Sequence, residues 1–130
     1  MELRQKLDRR EFGSEEISLL LDDLAHSGLQ NDARFCESYV RQRASRGFGP
    51  RRISADLNAR GISRELANEA IHSPDYNWPE LALLARIRKF KQAPATPGER
   101  AKQTRFLEYR GFEFPHIRHA LERAEEHEDY

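Results

Sequence analysis

Arginine dominates the part of this chain that could recognise charge. Between residues 41 and 64 stand Arg41, Arg43, Arg46, Arg51, Arg52, Arg60 and Arg64, opposed only by Asp56. Each guanidinium is a planar fork able to make bidentate hydrogen bonds to a carboxylate or a phosphate. A ridge of them would face acidic protein or phosphate. The competing explanation is a solvated helix face, with cations near helix C-termini answering the helix dipole. Arg46 and Arg60 fall at expected helix ends and fit that explanation. Arg51 and Arg52 fall in an expected first turn, where the dipole disfavours cations, and fit it poorly. A second basic group, Arg86, Arg88, Lys89 and Lys91, precedes a loop, and Arg100, Lys102, Arg105 and Arg110 follow it. These extend the ridge, or else form a polar helix surface with Glu80, Glu99 and Glu108.

Other residues offer little chemistry. His26, His72, His116, His119 and His127 make no metal-ligand pattern with cysteine or paired carboxylates, and His116 and His119, one turn apart, lack a third ligand. No Walker-type glycine loop is present. No catalytic residue, metal ligand or cofactor-binding residue is therefore expected, and the chain reads as a binding protein and not an enzyme. Phe48 and Phe112 follow turn glycines, where they could stack on bases or simply close the turns. Tyr39, Phe35 and Trp78 fit helix-core positions. Cys36, the single cysteine, permits no intrachain disulfide and suits a cytoplasmic protein with an inert buried thiol. The tail from Glu122 is acidic, with Glu125, Glu126, Glu128 and Asp129, and is expected to be a fraying helix end.

The elements that must position these residues are short helices. At 130 residues, 38% hydrophobic and 34% charged, the composition suits slim helices that each bury one stripe. The formal net charge is zero, so no global field draws the chain to nucleic acid or membrane. No apolar run approaches the roughly 18 residues of a membrane span. Apolar spacing and caps predict helices over about 2–10, 14–28, 32–47, 50–61, 63–73, 77–90, 96–111 and from 114 onward. No period-two alternation predicts a strand. Leu24-x-x-x-Gly28-Leu29, Leu57-x-x-x-Gly61-Ile62 and Leu107-x-x-x-Gly111-Phe112 share a spacing that predicts glycine C-caps, the next apolar residue folding back onto the leucine. Thr96 and Glu99 predict a capping box.

These turns group the helices in threes. The expectation is an all-α chain of tandem three-helix repeats in an elongated curved array. A truncated first repeat would cover 1–31, a second 32–73 and a third 74–130.

The stretch Gly28-Leu-Gln-Asn-Asp-Ala-Arg-Phe35, then Arg46-Gly-Phe-Gly-Pro-Arg-Arg-Ile53, Leu57-Asn-Ala-Arg-Gly-Ile-Ser63 and Arg105-Phe-Leu-x-Tyr-Arg-Gly-Phe112, resembles the RecX family of recombinase regulators. Each element is weak alone; the ordered set covers essentially the whole chain. Two departures stand out: the chain looks N-terminally short of the family pattern, and Gln30 replaces an aliphatic residue. The resemblance implies a monomer that binds RecA and the RecA–DNA filament and restrains its growth, ATP hydrolysis and strand exchange. It implies no membrane and only weak direct DNA contact, and shifts weight to Arg43, Arg46, Arg51 and Arg52 as contact residues. The alternative is a stand-alone DNA-binding protein built on helix–turn–helix modules.

Overall fold

The computed structural model describes residues 14–128. The helix expected over 2–10 and the chain end at Asp129 and Tyr130 lie outside them, as do the acidic side chains beyond Glu122. Among the described residues there are six helices and no strand: α1 Ser14–Ser45, α2 Pro50–Ala59, α3 Arg64–Ile71, α4 Trp78–Phe90, α5 Pro97–Tyr109 and α6 Phe114–Glu128. None of them is long and apolar enough to cross a membrane. The chain divides into two units, at Phe35 and Cys36.

The first unit overturns one expected break. Gly28 lies inside α1, so the helices expected over 14–28 and 32–47 form one. Gly28 is not among the glycines with positive φ, and Leu29 is 57% exposed instead of folding back as a cap. The reason is energetic. A lone glycine costs a helix about 1 kcal/mol, and no proline follows closely to forbid the next turn, so the i→i−4 bonds continue across it.

In the second unit the caps work as expected. The N–H of Ile62 donates to Leu57 O and that of Phe112 to Leu107 O, each at 3.1 Å across a glycine of positive φ. Both leucines are fully buried. A third turn has the same bonding without the leucine: Phe48 N–H donates to Arg43 O at 3.1 Å, past Gly47. Arg43 stands where the other two turns have leucine. New helices start on side-chain caps, with Ser63 accepting from Leu66 N–H and Asn77 from Glu80 N–H. At α5, Thr96 accepts from Glu99 N–H at 3.1 Å, but the Glu99 carboxylate reaches past Thr96 to the N–H of Ala95 at 2.7 Å.

One core serves this unit. Cys36, Tyr39, Val40 and Ala44 of α1 are buried in it with Ile53, Leu57, Ile71, Leu107, Ile117 and Leu121. Helix α4 packs chiefly on α6, and α2 on α3. Trp78 lies buried, its Nε1–H donating to Ile71 O at 3.0 Å, which ties the start of α4 to the end of α3. The buried face of α4 is Trp78, Ala82, Leu83, Ala85 and Arg86, while Leu84 and Ile87 are exposed. Apolar residues occur all round this helix, so its inward phase was ambiguous in the sequence.

The second repeat meets the third through main chain. Helix α2 begins at Gly49 with no side-chain cap. Gly49 N–H donates to Arg110 O at 2.7 Å, and Arg51 N–H donates to Gly111 O at 2.9 Å. Carbonyls that end α5 thus satisfy amides that begin α2. The approach needs glycine on both sides. A Cβ on Gly49 would stand 2.5 Å from Gly111 C and Phe112 N, and one on Gly111, whose φ is +97°, would run into the backbone of Arg52.

These two glycine environments predict opposite signs. Gly28→Ala meets nothing within 4 Å and should stabilise the helix by about 0.5–1 kcal/mol. Gly49→Ala should destabilise by about 3 kcal/mol or more, because the obstruction is backbone on both sides. Urea denaturation of both variants checks this; a destabilised Gly28→Ala would mean that the glycine ends a helix after all.

Candidate anion-recognition surface

The turn after α1, the first turn of α2 and the C-terminal end of α5 bring basic and aromatic side chains into alternation. Arg60 lies 5.0 Å from the centre of the Tyr39 ring, and Arg43 lies 5.2 Å from Tyr39 and 5.6 Å from Phe48. Arg110 lies 4.7 Å from Phe48 and 5.0 Å from Phe106, and Lys89 lies 5.8 Å from Phe106. A branch runs from Phe48 through Arg52, at 5.5 Å, to Tyr109, at 5.4 Å. Ring faces carry negative potential, so each such contact contributes about 0.5–1 kcal/mol where exposed. Phe48, shared by three guanidinium groups, is the node.

Two depressions lie along this ladder. One, of about 320 Å³, is lined by Tyr39, Arg43, Phe48, Arg52, Asp56 and Arg60. Its carboxylate is engaged: Tyr39 OH donates to Asp56 Oδ2 at 3.3 Å, and Arg52 Nε lies 3.8 Å from Oδ1. The other, of about 180 Å³, is lined by Arg46, Gly47, Arg88, Lys89, Phe106 and Arg110, and by no carboxylate. Backbone carbonyls hold two of its cations. Arg88 donates to Ser45 O at 3.2 Å and Arg110 to Arg46 O at 3.3 Å, both at the C-terminal end of α1.

Seven of the basic residues expected on a ridge are thus brought together: Arg43, Arg46, Arg52, Arg60, Arg88, Lys89 and Arg110. Arg52, poorly suited to its own helix dipole, is explained by its neighbour, since its Nη1 reaches Tyr109 O at 3.5 Å at the negative end of α5. Arg51 is exposed beside a separate depression with Ser54, Asn58, His72 and Glu113. Arg41 is exposed and lies toward Tyr76, whose hydroxyl pKa burial raises and Arg41 opposes. Arg105 is exposed on α5, apart from both depressions.

Two expectations need correction. Arg86, expected on the surface, is 4% exposed. It follows Ala82 by four residues and Leu83 by three, so helical phase turns it inward. Arg43, expected on an outward-facing ridge, is half-buried on the stripe of Cys36, Tyr39 and Val40, and its Nε is buried without a hydrogen-bond partner. Its stem fills the leucine place of the turn while the guanidinium emerges over two rings.

The rings of Phe106 and Tyr109 were missed as surface residues, and so were the cation contacts of the buried Tyr39. Tyr39 and Phe106 carry a sequence signal, each standing four positions before the arginine that lies over it, Arg43 and Arg110, whereas Tyr109 is met by the distant Arg52 and carries none. Phe112 closes its turn, 1% exposed, whereas Phe48 both closes a turn and carries the ladder. Tyr39 and Trp78 are buried as expected, and Phe35 is 39% exposed. His116 and His119 have structural work. His119 Nε2 pairs with Glu80 Oε1 at 2.8 Å, and His116 Nδ1 accepts from Glu113 N–H at 3.2 Å. Burial lowers the His116 pKa, with Glu113 opposing, which suits the neutral acceptor form. Among the described residues no group of three His, Cys, Asp or Glu could hold a metal ion.

The described residues are helical and form tandem three-helix units. Family models match them directly: the second three-helix domain of RecX over residues 31–71 and the third over residues 77–121. The chain belongs to the RecX family of regulatory proteins. It is 46% identical over 123 residues to Regulatory protein RecX of Chromohalobacter salexigens, covering 95% of this chain and 81% of that one. It is 44% identical over 113 residues to the protein of that name in Pseudomonas putida, covering 86% and 72%. The crystal structure of RecX from Lactobacillus salivarius shares the fold, with a TM-score of 0.66 at 22% identity over 95% of this chain and 83% of that one.

Phe48 separates turn closure from cation binding. Phe48→Leu keeps an apolar closure and loses the ring, and should cost about 1.5–3 kcal/mol through its three cation contacts. Phe48→Ala should cost about 3–5 kcal/mol by losing both. Denaturant titration distinguishes them, and a leucine variant as stable as the parent would show that the ladder contributes nothing.

Proposed function

We propose that this chain binds RecA and the RecA–DNA filament and restrains filament growth, ATP hydrolysis and strand exchange by occupancy, with no chemistry of its own. Family membership and the four ordered motifs support the reading. The observation that carries it is the continuous basic and aromatic ladder, which is suited to acidic protein surface and to phosphate alike. Arginine forks answer either group bidentately, and fixed rings limit the conformational freedom lost on binding. The contact residues in this reading are Arg43, Arg46, Arg52, Arg60, Arg88, Lys89 and Arg110.

The test is the ATPase rate of RecA filaments on single-stranded DNA, titrated with this protein. Inhibition below one copy per RecA protomer is expected. The double variant Arg46→Glu/Lys89→Glu should weaken it about tenfold or more, on the order of the 1–3 kcal/mol carried by charged contacts at such surfaces. Unchanged hydrolysis at excess protein would sink the reading. The carboxylate-free depression favours a second one, direct DNA binding, for which affinity should fall steeply between low and physiological salt.

A further inference from the structure

The depression between the end of α1, α4 and the turn after α5 is built as a seat for a small anion. Four cations line it, Arg46, Arg88, Lys89 and Arg110, and no carboxylate answers them. They come from three separate segments of chain, so their convergence is a product of folding and not of one charged run. Helix α1 does end here, but a helix C-terminus carries only about half a negative unit. Two of its carbonyls are already met by Arg88 and Arg110. Each of these guanidinium groups has five N–H donors and shows one committed to a carbonyl, which fixes the group and leaves donors for a ligand. Phe106 further fixes Arg110 and Lys89 from below.

Size selects the ligand class. At about 180 Å³ the space is below the roughly 300–1,000 Å³ of sites that enclose whole small molecules. It holds several water volumes, enough for one tetrahedral oxyanion. Three or more converging cations match the oxygens of a phosphate better than the two oxygens of a carboxylate.

We propose that this depression binds a single phosphate group, and that the bound group ties the turn after α1 to α4 and to the turn after α5. The proposal stands apart from recombinase regulation and requires no partner protein. The source is either free phosphate or the phosphate of a nucleic-acid backbone. The link across three segments means that binding must stabilise the fold.

Thermal unfolding of the full chain is measured with inorganic phosphate and with chloride at matched ionic strength. At a phosphate concentration about tenfold above the dissociation constant, Tm should rise by roughly 3–6 °C beyond the chloride value. The variant Arg46→Gln/Lys89→Gln should lose that rise, since both side chains line the depression and both residues are exposed. The variant Arg41→Gln/Arg105→Gln removes the same charge elsewhere and should keep it. No rise beyond chloride, or an equal rise in all three proteins, overturns the seat. A short oligothymidylate then distinguishes the sources. Binding weakened about fivefold or more by Arg46→Gln/Lys89→Gln, and competed by phosphate, assigns the seat to nucleic-acid backbone. Oligothymidylate binding that the variant leaves unchanged, beside a retained phosphate effect, assigns it to the free anion. Recombinase inhibition is read in a separate assay, so either reading can fail without the other.

Discussion

Helix α2 starts without a side-chain cap, and helix α5 ends with carbonyls to which no further turn donates. Two hydrogen bonds, Gly49 N–H to Arg110 O and Arg51 N–H to Gly111 O, satisfy both ends at once. A buried backbone group left without a partner costs about 1–3 kcal/mol, so the stakes at this junction are several such groups. The positive end of one helix also meets the negative end of another, a favourable dipole arrangement. The contact is main chain against main chain, which is why it tolerates no side chain on either glycine. Nothing else in the second unit joins segments so far apart in sequence by backbone alone among the described residues.

The basic and aromatic ladder follows from that junction. Phe48 stands one residue before Gly49, and Arg110 one residue before Gly111, so the bonded glycines deliver the ring and the guanidinium to each other at 4.7 Å. Arg52, in the first turn of α2, is carried to the end of α5 by the same approach and reaches both Phe48 and Tyr109. Arginine suits these places and lysine would not. A guanidinium can donate to a carbonyl from one edge, lie on a ring with its face and offer its remaining donors outward. A lysine ammonium is a strongly hydrated point charge and cannot divide itself in this way. The arginines therefore hold the structure together and face outward as well.

Most of the fold was legible because its signals are local. Glycine C-caps at Gly61 and Gly111, the Ser63, Asn77 and Thr96 caps, and the apolar spacing of α2, α3 and α6 each need only a few consecutive residues. The error at Gly28 came from the same rule, because glycine permits a cap without requiring one. The phase of α4 was not legible: apolar residues on every side left Arg86 and Ile87 to be sorted by what packs against the helix. At the surface, the arginines were visible as a charge anomaly, but their order along a ladder was not. Alternation with Tyr39, Phe106 and Tyr109 spans some 70 positions and depends on the Gly49–Gly111 approach, for which Gly-Pro after Gly47-Phe48 gave no sign. Arg43 shows the limit most clearly. It occupies a leucine position in a turn whose other two copies carry leucine, and only the third copy's bonding reveals the equivalence.

Zero net charge and a basic surface are compatible because electrostatic reach in salt is short. At physiological ionic strength, potentials decay over about 8 Å, so a partner approaching the ladder senses the cations there and little of the chain's distant carboxylates. Balance elsewhere then has a use. A uniformly basic protein would be held by any polyanion through counterion release, with affinity set by charge number alone. A neutral chain with a carboxylate-free depression must bring a partner to contact range, where fork geometry and ring placement decide the outcome. Selection of a partner by contact, and not by long-range attraction, is the behaviour a regulator needs if it is to act on one assembly in the presence of abundant nucleic acid.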